Sequence, residues 1–84
     1  MIPKNIKRLH IEMAIEEVNL KGVPVKRESK TYLLLYKGHA YPPKYIVALA
    51  NEYANGHFLD SEEFSGGKET NQFLTNLGFE IKAK

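Results

Sequence analysis

An α+β domain is what this 84-residue sequence predicts: order α-β-β-α-α-β, with three helices packed on a small antiparallel sheet. Three observations lead there. Apolar residues recur at helical spacing in residues 8–21 and again in 43–54. Between them, residues 31–36 are rich in aromatic and branched side chains and run into a Lys37-Gly38 turn. A last segment, 79–82, alternates apolar and charged residues. The first pattern is the 3.6-residue helical period, and the other two are strand and hairpin signals.

Each element has its own warrant. In the first helix, residues 8–21, Ile11, Ala14, Ile15 and Val18 make one stripe. Gly22 suits the left-handed position after the helix, and Pro24 prevents its resumption. Residues 23–30 read as a polar, basic connector. The strand 31–36 and a short return strand, 39–41, make a hairpin, which needs a helix to cover it. Pro42 and Pro43 open the second helix, 43–54, where a missing N–H costs nothing. Its stripe is Ile46, Leu49, Ala50 and Tyr53, and Asn55-Gly56 stops it. Asp60 with Glu63 three residues on is a capping pair, so one helical turn is expected over residues 61–64. Ser65-Gly66-Gly67 is a break. The third helix, 68–76, turns Phe73, Leu74 and Leu77 inward, and Gly78 ends it. The final strand, 79–82, is expected beside the hairpin.

Composition narrows the function classes. With 43% hydrophobic and 26% charged residues, the chain is not a disordered one. It has no cysteine, which rules out a disulfide framework and a thiolate zinc site. No apolar run approaches the ~20 residues that span a bilayer. The N-terminus has no signal-peptide core, and a cytoplasmic protein without membrane association is expected. Charge is uneven along the chain: residues 1–45 carry nine Lys or Arg against four Glu, and residues 46–84 carry three Lys against six Asp or Glu. Such asymmetry suggests one basic face, although a solvated surface of uneven charge explains it too.

Catalytic readings find little support. His10, His39 and His57 fall in a helix, a hairpin and a loop, with no metal-ligand spacing between any two. Glu16-Glu17 and Glu62-Glu63 are sequential neighbours and do not face one another on a helix. Gly66-Gly67-Lys68 invites comparison with a phosphate-binding P-loop, but Glu62 stands where that motif has its first glycine. Glu69 stands where it has Ser or Thr. No cofactor and no metal are expected.

Simpler anion chemistry survives. Lys44 follows Pro42 and Pro43 at the positive end of a helix, where a cation gains nothing from the helix dipole and is either solvated or aimed at an anion. Ser65, Gly66 and Gly67 precede a helix, so backbone N–H groups there suit a phosphate; the same glycines also suit a plain tight turn. Lys68 and Asn71 lie on the first turn that follows. Arg27 and Lys30 sit in the basic connector, the kind of loop that positions a protein on a duplex through its phosphates. Tyr32, Tyr36, Tyr41 and Tyr45 are interleaved with these charges. Tyr32 and Tyr45 suit the core better, and Tyr41 and Asn71 are the residues expected to approach a base.

The set as a whole carries a resemblance. It runs through Ile11-Glu12-Met13-Ala14-Ile15, Arg27-Glu28-Ser29, Tyr32 to Tyr36-Lys37-Gly38, Tyr41-Pro42-Pro43-Lys44-Tyr45-Ile46, Leu49-Ala50-Asn51, Phe64-Ser65-Gly66-Gly67 and Asn76-Leu77-Gly78-Phe79. It resembles the N-terminal head domain of McrA-like HNH restriction endonucleases. The resemblance spans nearly the whole chain and implies a DNA-associated accessory domain of a modification-dependent restriction or defence system. In such proteins the nuclease chemistry lies in a separate HNH domain, and this chain has no His-Asn-His constellation. An excised domain and a stand-alone homologue both fit.

The expectation is therefore a non-catalytic module that contacts duplex DNA phosphates through a basic face, using Arg27, Lys30, Tyr41, Lys44, Ser65, Gly66, Gly67, Lys68 and Asn71. The alternative is a protein-interaction module that docks a nuclease domain, in the same or another chain, or a motor subunit. For that reading His57-Phe58-Leu59 is the apolar segment outside the expected helices.

Overall fold

A computed structural model describes residues 1–28 and 31–84 of the chain. Helix α1 spans Arg8–Lys21 and is followed by a 3-10 turn, Val25–Arg27. Strands β1 (Tyr32–Tyr36) and β2 (His39–Tyr41) form the hairpin. Helices α2 (Pro43–Asn55) and α3 (Lys68–Asn76) precede β3, Glu80–Ala83. This is the expected order, α-β-β-α-α-β, in one α+β domain. Strand β1 is central, with antiparallel partners on both sides in the order β2-β1-β3.

The hairpin turns through Lys37 and Gly38, both at positive φ (49° and 81°), the geometry whose twist matches flanking strands. Its register pairs Leu34 with Tyr41, and β3 pairs Leu34 with Ile81. Cross-strand partners share a face, so these three side chains point toward the helices. Leu34 and Tyr41 are buried, and Ile81 packs against the same core.

Helix α2 is the centre of the molecule. Ile46, Val47, Ala48, Leu49 and Ala50 are all buried, because α1, α3 and β1 surround it. Gly56 closes it in the left-handed conformation at φ 86°, with its N–H donating to the Glu52 carbonyl. Asn51 is also buried but fully engaged: its Nδ2 donates to the His57 carbonyl (2.9 Å) and its Oδ1 accepts from Asn55 (2.6 Å). That pairing reverses the chain after α2.

Three expectations differ from the structure. Residues 61–64 form a turn rather than a helical turn. Glu63 does reach back to the Asp60 N–H (3.2 Å) as a capping residue would, but Phe64 is drawn into the core before a helix can propagate. The last strand begins at Glu80, because Phe79 is buried as a core side chain under Tyr36. His57-Phe58-Leu59 is not an exposed apolar segment: Leu59 is buried, and its N–H donates to the Ala48 carbonyl. Phe58 packs on Tyr45 with ring centroids 5.8 Å apart. The exposed apolar side chains lie elsewhere, with Leu9, Met13 and Leu20 on α1 and Tyr53 on α2.

Candidate functional site

A cleft of about 330 Å³ opens where the 3-10 turn, the start of β1, the start of α2 and the start of α3 come together. Each wall follows from local structure. Pro42 is the N-cap of α2 and Pro43 its first residue, so Lys44 leaves the helix at a fixed angle on its first turn. Its stem lies on the Gly-Gly turn, where a Cβ on Gly66 would sit 3.6 Å from Lys44 Cδ. Gly67 adopts φ 64° and ψ −123°, a conformation that essentially requires glycine, and its backbone rests near the Tyr32 ring.

Opposite this turn stands Arg27. Its guanidinium lies over Tyr45 (5.5 Å to the ring centroid) and over Phe58 (5.2 Å). Cation–π contacts of this kind hold a guanidinium flat against an apolar wall. Asn71, on the first turn of α3, completes the cleft. Two polar atoms here are buried without a hydrogen-bond partner: Arg27 Nη2, a donor, and Asn71 Oδ1, an acceptor.

Five of the nine residues expected from sequence thus line one cleft: Arg27, Lys44, Gly66, Gly67 and Asn71. Four do not. Lys68 is exposed at the first position of α3, outside the cleft lining. Ser65 has its N–H committed to Glu69 Oε1 (2.7 Å) and its carbonyl to the Thr70 hydroxyl (2.6 Å). Tyr41 is buried, and its hydroxyl donates to Asn19 on α1 (2.8 Å), away from the cleft. Lys30 lies outside the described residues.

Lys44 has a structural duty as well. Its ammonium donates to the Ser61 carbonyl (2.8 Å) and lies 5.0 Å from the centre of the Phe64 ring. An ammonium has three donors, so this contact leaves capacity for an anion. Glu69 braces the same region: its carboxyl is held below the usual value of 4.5 mainly because it accepts the Ser65 N–H. Tyr32 and Tyr45, which sequence reasoning placed in the core, are half-buried and line the cleft. Interleaving of tyrosine with Lys and Arg was the signal that marked them.

Residues 4–83 match the family described as ScoMcrA-like, N-terminal head domain. The chain belongs to that family. No curated protein and no solved structure matches it. As a ScoMcrA-like head domain, it is an accessory domain of a restriction system, distinct from the catalytic HNH domain. The head domain has no helix long and apolar enough to cross a membrane among its described residues. No group of three His, Asp or Glu that could hold a metal ion occurs among them either.

Proposed function

We propose that this head domain is a non-catalytic DNA-binding module of a restriction or defence endonuclease system. The observation that carries the reading is convergence. Three cations (Lys26, Arg27 and Lys44) against one carboxylate (Glu28), with a two-glycine turn and a side-chain amide, meet in one cleft from three distant stretches of chain. Lys44 and Arg27 meet phosphates, the Gly66 and Gly67 backbone sets the register of the strand, and Lys68 and, from the sequence alone, Lys30 are further phosphate contacts in this reading. Phosphate contacts of this kind position a protein on a duplex without reading its sequence.

Fluorescence anisotropy with a labelled duplex at low and moderate salt tests it. Binding is expected to weaken with salt, and Lys44→Ala is expected to flatten the slope of log K against log salt by about one unit. No binding at tens of micromolar protein in low salt refutes the reading.

The exposed apolar face of α1 favours the second reading, docking of a nuclease domain. Leu9 is 62% and Leu20 82% exposed. Glu16 and Glu17 sit among these side chains, so the partner surface would be apolar with a Lys or Arg rim. Leu20→Asp should abolish such docking and leave DNA affinity unchanged.

A further inference from the structure

We infer that the cleft takes one unstacked nucleobase beside the phosphates, an inference that rests on the DNA-binding reading above. A phosphate alone does not account for its chemistry. Phosphate oxygens only accept hydrogen bonds, and they are repelled by other acceptors. Yet the inner polar groups are of both kinds: Arg27 Nη2 is a donor, and Asn71 Oδ1 an acceptor, each buried without a partner. A buried polar group left unpaired is uncommon and calls for a cause. A group that brings both an acceptor and a donor satisfies the pair, as a water molecule does and as one rigid ligand edge does. Every nucleobase has such an edge, and neither a phosphate nor a sugar ring offers one.

Size and surface point the same way. About 330 Å³ is far more room than one phosphate needs and lies at the lower end of pockets that hold small organic ligands, roughly 300–1,000 Å³. Tyr32 and Tyr45 give the cleft aromatic walls, on which a base of any sequence can stack. Lys44 and the Gly66-Gly67 backbone stand beside this chamber, where the phosphate attached to the base would lie. Both orphan atoms are covered in the free domain, so entry of a base requires a rotamer change at Arg27. That side chain is held there by stacking on Tyr45 and Phe58 rather than by a described ion pair. Unpaired bases are the cheapest to extrude from a duplex, so they are the expected occupants.

The test compares three labelled duplexes by anisotropy at one salt concentration: fully paired, carrying one unpaired bulged nucleotide, and carrying the same bulge as an abasic sugar. The bulged nucleotide should bind about tenfold or more tighter than the abasic bulge, as loss of a stacked base predicts. Asn71→Ala, checked for folding by circular dichroism, should erase that preference, so that the bulged nucleotide binds no tighter than the abasic bulge. Lys44→Ala should weaken both bulges equally. Equal affinity for the base-containing and abasic bulges overturns the inference and leaves the DNA-binding reading standing. Absence of binding to all three overturns both.

Discussion

Arg27 separates a functional arginine from a structural one. Consider Arg27→Met, which keeps an unbranched stem and trades the guanidinium for a thioether. The substitution removes a buried donor without a partner, which costs the folded state about 1–3 kcal/mol. It also removes two cation–π contacts, to Tyr45 and Phe58, worth about 0.5–1 kcal/mol each. The methionine sulfur recovers part of that against the same rings, about 0.3–1.5 kcal/mol per contact. The balance predicts a protein as stable as wild type or more stable, by up to about 2 kcal/mol. For a domain of this size each kcal/mol moves Tm by roughly 4–8 °C. Urea denaturation followed by far-ultraviolet circular dichroism measures the first quantity, and anisotropy with the duplex measures the second. Stability should hold or rise while DNA affinity falls. A loss of 1.5 kcal/mol or more in stability would mean that Arg27 serves the fold, and the reasoning that makes it a ligand group fails.

Further outcomes follow from other parts of the fold. Gly78 sits at φ 93°, and a Cβ there would come within 2.9 Å of Arg8 Nη1, which itself donates to the Leu77 carbonyl and lies over Phe79. Gly78→Ala should therefore cost about 1–2 kcal/mol for the backbone and also dislodge Arg8; in an Arg8→Ala background only the backbone part remains, so strict additivity in a double-mutant cycle would be the refuting result. Asn51→Leu leaves the His57 carbonyl without its donor, while the Asn55 amide keeps Asn5 as an acceptor, and should destabilise by about 1–3 kcal/mol in urea titrations. Glu69 has a lower carboxyl pKa folded than unfolded, so its contribution is present above about pH 4.5 and is lost as pH falls through the lower folded value. The Ser65 amide resonance should report this as a titration centred below 4.5 that disappears in Glu69→Gln; a centre above 4.5 contradicts the assignment.

Most of the architecture was legible in the sequence because it is local. The stripe Ile11, Ala14, Ile15, Val18 is buried on α1, and Lys37-Gly38 makes the hairpin turn. Cleft residues were legible one at a time, by residue type beside Pro or Gly, but their meeting depends on contacts such as Lys44 against Gly66 that no local pattern encodes. Tyr41 illustrates the limit. Its burial follows from pairing with Leu34 across the hairpin, a matter of register that composition around Pro42 does not reveal. Ser65 illustrates another: a serine before two glycines reads as an anion contact, yet Glu69 already fills the position an anion would take at its N–H. Asn71 was found as a first-turn polar residue, whereas its unpaired acceptor is visible only in three dimensions.

The two extremities of the described chain share a mechanical task. The Met1 amino group donates to the Glu63 carbonyl, and Ile2 is buried in the core, so the first residues brace the loop that leads into the Gly-Gly turn. At the other extremity the Lys84 N–H donates to the Thr31 carbonyl (2.8 Å), and Ala83 pairs with Tyr32, so the last residues pin the opposite wall. Labels attached near residues 2 or 83 would therefore pull on the jaws of the cleft. An internal label, placed on the exposed side of α1, is the gentler way to hold this molecule while its ligand is measured.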